Sequence, residues 1–171
     1  MPNEWDENSS SRNSNMKEEF LQLIDQHQRI IHKVARMYCN AVADREDLFQ
    51  DIVFQLWKAY PNFRKEAKVS SWMYRIALNT GMAIYRKKTP SVEFTENVPD
   101  TKAINKADQI SEREEKLYEA LHQLTIADRA IISLYLEDYA YAEIANIIGI
   151  SENYVGVKIN RIKNSLKEIL T

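Results

Sequence analysis

The stretch YAEIANIIGISENYV, residues 141–155, decides how the chain is read. Its apolar residues Ile144, Ile148, Ile150 and Val155 are spaced to lock two short helices at a fixed angle. A close helix crossing needs a small residue, and Ala145 fits. Four places on, Gly149 tolerates the positive φ that a tight turn demands. Ser151 can then cap a second helix. That helix runs on through Val155, Ile159, Ile162, Leu166 and Ile169, at steps of four, three, four and three, one inward stripe. Its other face presents Asn153, Tyr154, Val157, Lys158, Arg161 and Lys163. This is the pattern of a helix-turn-helix, whose second helix enters a major groove with its N-terminal residues at base edges. An ordinary αα-hairpin with a glycine turn is the competing reading. A single helix-turn-helix usually binds DNA as a dimer or with help. No dimerisation zipper follows, so the help must come from elsewhere in the chain.

The totals bound what that help can be. A length of 171 residues allows one domain or two small ones. Hydrophobic residues at 44% and charged residues at 28% are ordinary for a globular protein. Only 3 Gly and 4 Pro favour long uninterrupted helices. One cysteine, Cys39, excludes an internal disulfide and a multi-cysteine zinc site. His27, His32 and His122 are not at ligand spacing, so neither a metal nor a cofactor is expected. The first residues, MPNEWDENSSSRNSNM, lack the apolar core of a signal peptide. No apolar run approaches the ~20 residues of a membrane span. The expected place is the reducing cytoplasm.

The net charge of −2 averages over unlike blocks. Residues 61–88 hold 7 basic and 1 acidic side chain, net +6. Residues 89–148 hold 5 basic and 12 acidic, net −7. Residues 149–171 hold 4 basic and 2 acidic, net +2, and residues 1–60 come to −3. Two basic stretches on an otherwise acidic chain point to two polyanion contacts. Blocks of +6 and −7 in one chain also leave open that its parts close on each other.

Residues 1–15, rich in Ser and Asn, are expected to be a disordered tail. From Met16 apolar residues recur at helical steps: Phe20, Leu21, Ile24, Ile30, Ile31, Val34, Ala35 and Tyr38. In the next helix Asp44 and Asp47 resemble a capping box, Leu48, Ile52, Leu56 and Tyr60 form one stripe, and Pro61 ends it. A third helix is expected from Ser70, burying Met73, Ile76, Ala77, Thr80 and Ile84. Periodicity is lost over residues 89–111, which hold Pro90 and Pro99 and read as a linker. Helical pattern returns at residue 112, with Thr125 and Asp128 as a further cap. The expected fold class is all-α: two small helical domains, residues 16–88 and 112–171, on a flexible joint.

The third helix exposes Trp72, Arg75, Asn79, Arg86 and Lys87. Bases stack on an aromatic while cations hold phosphates, which suits single-stranded nucleic acid. The polar, basic loop before it, YPNFRKEAKVS, is placed to hold an unstacked base. Core packing is the competing reading for Trp72. The second helix carries a face of Asp47, Phe49, Gln50, Asp51, Phe54 and Trp57, a mixture of acid and aromatic that suits a protein partner. Here the competitor is that Phe49 and Phe54 belong to a three-helix core.

With those stretches in order, the chain resembles bacterial RNA polymerase sigma factors of the two-domain extracytoplasmic-function (ECF) group. DREDLFQDIVFQLWKAYPNF looks like the family's core-polymerase-binding segment, and SSWMYRIALNTGMAIYRKK like its promoter-melting helix. Residues 124–166, from LTIADRAIISLYL through NRIKNSL, look like its −35-reading module. The resemblance covers residues 16–171. It implies that Asp47, Gln50, Asp51, Phe54 and Trp57 dock on core RNA polymerase. It implies that Asn62, Phe63, Arg64 and Lys65 capture a flipped −10 base, and that Trp72, Arg75, Asn79 and Arg86 meet the −10 strand, with Lys87 beside them. Ser151, Asn153, Tyr154, Val157, Lys158 and Arg161 fall to promoter DNA at −35. An anti-sigma factor, often membrane-bound, is implied as a further partner.

The chain departs from the family pattern at Leu78, where Arg is common, at Ala83, where Asp is common, and at Gly156, where a cation is common. Leu124-Thr125 stands where Leu-Pro is common. A stand-alone regulator, with a sensing or dimerising N-terminal module, is the alternative function. No nucleophile–base pair and no phosphate-cradling glycine loop is present, so neither an enzyme nor a small-molecule substrate is expected.

Overall fold

The computed structural model describes residues 4–88 and 111–171. Among them the regular elements are seven α-helices and one 3₁₀ turn, with no strand, as the periodicity required. They are α1 (Glu4–Tyr38), α2 (Val42–Ala59), the turn Tyr60–Asn62, α3 (Val69–Lys88), α4 (Glu112–His122), α5 (Ile126–Leu136), α6 (Tyr141–Ile148) and α7 (Glu152–Leu170).

The first module is a three-helix bundle. Phe20, Ile31, Val34 and Ala35 of α1 meet Leu48, Ile52 and Leu56 of α2 and Met73, Ala77 and Leu78 of α3, all buried. Each large side chain so buried stabilises by about 1.5–3 kcal/mol. The stripe on α2 is the one its spacing required.

Four local expectations fail. Residues 4–15, expected to be disordered, continue α1. No Gly or Pro interrupts the chain between Pro2 and Pro61. Extending a helix already fixed by packing adds one bond per residue and needs no new nucleus. Residues 10–15 are nevertheless exposed, in keeping with a polar composition that has little to bury. Second, α2 starts at Val42 with Ala41 as its N-cap and no side-chain cap; Asp44 sits in the first turn, where it favours the helix dipole. Third, α3 starts at Val69, which puts Ser70 inside its first turn. Fourth, Leu21 is exposed, and on α3 the fully buried residues include Tyr74 and Leu78 while Ile76, Thr80 and Ile84 are half-buried. The buried stripe of α3 is rotated because the helix has two sets of neighbours, α1 and α2 on one side and the second module on the other.

The second module begins at a reciprocal capping box. Ser111 Oγ accepts from the Glu114 amide, and Glu114 Oε2 accepts from the Ser111 amide. Ser111, expected in the linker, thus belongs to this module, and residues 89–110 lie outside the described residues. Thr125 Oγ1 caps α5 by accepting from the Asp128 amide at 3.3 Å. In the helix-turn-helix, Gly149 ends α6 at φ 83°, and both its amide and that of Ile150 donate to Ala145 O. Ser151 Oγ accepts from the Tyr154 amide at 3.2 Å and starts α7. Val155, Ile159 and Ile162 are buried against Ile131, Ile132, Ile144 and Ile147.

The modules touch. The last carbonyls of a helix lack intrahelical partners, and two of those of α1 find theirs in the second module. Arg36 O accepts from His122 Nε2 at 2.9 Å, and Met37 O accepts from Arg129 Nη1 at 3.4 Å. Tyr38 Oη donates to Ile126 O at 3.1 Å. Arg129 is 4% exposed; it also donates to Leu124 O and lies 5.1 Å from the Tyr85 ring centre. A buried cation is tolerated because its donors are paired and it faces the negative end of α1.

Candidate nucleic-acid interface

Three surfaces carry the residues that sequence pattern singled out. The first is α3 with the loop before it. Arg75, Asn79, Arg86 and Lys87 are exposed, and positions 75, 79 and 86 fall on one helical stripe. Trp72 is half-buried and stacks on Phe63, with ring centres 4.4 Å apart and planes at 26°. Neither reading of Trp72 holds alone. One ring face is committed to Phe63, and that stacking pins the loop to the start of α3. Asn62, Arg64 and Lys65 are exposed around it, and Lys65 adopts φ 58°, a conformation uncommon for a side chain with Cβ. No acidic residue stands in the first turn of α3, so the positive end of its dipole adds to the loop's cations.

The second surface is the outer face of α2. Asp47, Gln50, Asp51 and Phe54 are exposed, with Phe54 at 57% and Lys58 Nζ 5.5 Å above its ring centre. Phe54 is therefore surface. Phe49 is half-buried against the His32 ring, as the core reading of that residue had it. Trp57 is half-buried against Phe20, so it braces the bundle with one edge.

The third surface is α7. Tyr154 and Val157 are 46% and 48% exposed, beside exposed Ser151, Asn153 and Arg161. Lys158 differs. Its ammonium lies 2.9 Å from Asp128 Oδ1, with both side chains largely covered, and this bond holds its pKa above the ordinary lysine range. Sequence reading missed Asp128 as its partner. The capping pattern at Thr125 marked Asp128, but only packing of α5 against α7 shows where its carboxylate goes.

The sequence also gave no sign of the pairs that join α3 to α6. Arg75 Nη2 donates to Asn146 O at 2.8 Å and to its Oδ1 at 3.3 Å. Lys68 Nζ lies 3.2 Å from Glu143 Oε1. Glu143 also accepts from the Ala140 amide, and the two contacts together hold its carboxyl below the usual range.

Comparison with known proteins gives the family. The family model for Sigma-70 region 2 matches residues 23–90, and that for Sigma-70, region 4 matches residues 114–166. The chain belongs to the sigma-70 family. Its relatives place it in the ECF group. SigM of Mycobacterium tuberculosis, an ECF RNA polymerase sigma factor, is 27% identical over 154 residues, which span 88% of this chain and 76% of SigM. SigW of Bacillus subtilis is 24% identical over 165 residues, 88% of each chain. Among solved structures, the sigma factor RpoE from Bartonella quintana, crystallised with the anti-sigma factor NepR, is similar at a TM-score of 0.68. That match is 24% identical and covers 91% of this chain and 96% of the other. CnrH, solved with the cytosolic domain of CnrY, matches at 0.63 with 20% identity, covering 90% and 88%.

This sigma factor is thus a promoter-specificity subunit of RNA polymerase. Two sigma regions in order do not favour the stand-alone regulator. Among the described residues no group of His, Cys, Asp and Glu could hold a metal ion, and no helix is long and apolar enough to cross a membrane.

Proposed function

We propose that the three surfaces divide the work of initiation. Phe54, with Asp47, Gln50, Asp51 and the exposed edge of Trp57, docks on core polymerase. The loop of Asn62, Phe63, Arg64 and Lys65 takes a flipped −10 base, and Arg75, Asn79, Arg86 and Lys87 hold the adjoining strand. Trp72 acts through Phe63, by fixing the loop. Unstacking costs a few kcal/mol per step, which a base pocket offsets. At −35 the exposed residues of α7, Ser151, Asn153, Tyr154, Val157 and Arg161, meet the groove; Lys158 reaches DNA only by leaving Asp128. The observation that carries this division is the stripe of exposed cations on α3 next to the pinned loop, inside the matched region 2.

The protein acts without bond chemistry of its own, in the cytoplasm, and answers to an anti-sigma factor. Support for that partner is the similar fold of RpoE, which was crystallised with one. In-vitro transcription with core polymerase on a library of upstream regions tests the whole reading. Protein-dependent transcripts sharing a two-part upstream sequence are expected; duplex binding without any transcript would overturn it.

A further inference from the structure

Val157 stands at the crest of α7. The buried stripe of that helix is Val155, Ile159 and Ile162. At 3.6 residues per turn, position 157 lies about 200° round the axis from Val155, at the middle of the outward side. It falls in the second turn of the helix, within the N-terminal part of a recognition helix that reaches base edges. Its side chain is 48% exposed and has no hydrogen-bonding atom. Neither chain neighbour stands in front of it. Gly156 has no side chain, and Lys158 is drawn aside to Asp128 at 2.9 Å. One turn to either side come Asn153 and Asn160, both exposed. A lone exposed aliphatic is ordinary on a protein surface. An aliphatic at the centre of a groove-entering face is a different matter, because whatever base edge it meets is stripped of water there.

A donor or acceptor on a base edge set against Val157 would lose water and gain no partner, which costs more than the apolar contact returns. The apolar group that the major groove offers is the C5 methyl of thymine. We propose that Val157 is a specificity-determining residue of the −35 contact, packing its methyl groups on the C5 methyl of a thymine, so that the −35 element holds an A·T pair at that place. The proposal rests on the assignment of α7 to −35 made above and names the group that is read. Apolar contact needs carbons within about 4–4.5 Å. The bare Gly156 and the tethered Lys158 give the helix room to come that close. Asn153 and Asn160 flank Val157 with amides of the kind that pair with adenine N6 and N7, so the face as a whole suits A·T pairs.

The test uses holoenzyme reconstituted from core polymerase and the full chain. The probes are promoter duplexes carrying the −35 element mapped by transcription. Each thymine of that element, on either strand, is replaced in turn by deoxyuridine, which lacks the methyl and keeps every hydrogen-bonding group. Wild-type holoenzyme should lose about threefold to fivefold in affinity at one position, the worth of one buried methyl, and little at the others. Holoenzyme carrying Val157→Ser, a short polar side chain at an exposed place, should bind the thymine and deoxyuridine duplexes of that position equally. The ratio between two duplexes for one protein cancels any general weakening by the substitution, and circular dichroism confirms that the variant remains helical. A −35 element without an A·T pair, equal binding of every deoxyuridine duplex by wild type, or a methyl preference that survives Val157→Ser would each overturn the proposal. The assignment of α7 fails in a different way. Transcription would then be indifferent to scrambling of the −35 element, whereas failure of the methyl contact alone leaves that dependence intact.

Discussion

The ring of Tyr38 occupies the space that a side chain at Gly81 would need: a Cβ there would lie 2.7 Å from Tyr38 Cδ2. The absence of a side chain lets α1 and α3 approach until Tyr38 reaches across to Ile126 O in the second module. Burial pushes the Tyr38 phenol far above its ordinary pKa, so it remains a donor throughout the working range. Gly81→Ala should destabilise the protein. Helix propensity gains about 0.5–1 kcal/mol, but displacing a packed aromatic costs about 1–3 kcal/mol. Urea unfolding measures the balance, and an unchanged midpoint would show that Tyr38 moves freely.

Gly156 gives the opposite prediction. It lies inside α7, and a Cβ there would meet only the Tyr141 ring, at 3.5 Å, an ordinary contact. Gly156→Ala should stabilise by about 0.5–1 kcal/mol. A thermal midpoint no higher than wild type would mean that the turn beside Tyr141 resists even a methyl group.

Asp128→Asn should release Lys158. The protein would lose roughly 1 kcal/mol from a largely covered pair. It would gain a free ammonium near the DNA face, and the salt dependence of duplex binding would steepen by about one unit of log–log slope. Affinity measured across a salt series is the check; an unchanged slope would mean that Lys158 stays away from phosphate even when free.

His122 makes stability depend on pH. Burial lowers its pKa below the usual value, Arg129 and Arg45 act in the same direction, and the hydrogen bond to Arg36 O opposes them. With the folded value below the unfolded value of about 6.5, the unfolded chain takes up the proton first. The neutral imidazole's contribution is complete above pH 6.5 and is lost as pH falls through the depressed folded value. The thermal midpoint should drop from neutral pH toward acid, and His122→Gln should flatten that drop.

The two outer faces should separate by function. Phe54→Ala and Asp51→Arg should weaken assembly with core polymerase, with a stability change within ~0.5 kcal/mol because both positions are exposed. Asn79→Ala should leave assembly intact and reduce promoter melting, read by permanganate footprinting. Loss of assembly in Asn79→Ala would invalidate the division of faces.

Much of this was written locally. Spacing at Leu48, Ile52 and Leu56 and at Val155, Ile159 and Ile162 set which sides of α2 and α7 turn inward, since a helix repeats every 3.6 residues whatever surrounds it. Gly149, Ser151 and Thr125 marked their turns and caps because those roles depend on one residue's backbone freedom or hydroxyl. Such local marks failed where neighbours decided. Asp44 and Ser70 had the chemistry of caps, but α2 and α3 start earlier. Trp72 was neither wholly free nor wholly buried, since its partner Phe63 lies in a loop with no periodicity.

Local residue pattern established an all-helical protein, a helix-turn-helix at its end and a basic helix before the linker. It did so because periodicity, capping and charge are properties of residues a few places apart. Packing of the helices set the rest: Arg75 holds Asn146, Lys158 is tied to Asp128, and two carbonyls at the end of α1 accept from His122 and Arg129. Those partners stand 71, 30, 86 and 92 residues apart. No local pattern encodes a pairing across such a distance; it exists only once the helices have packed.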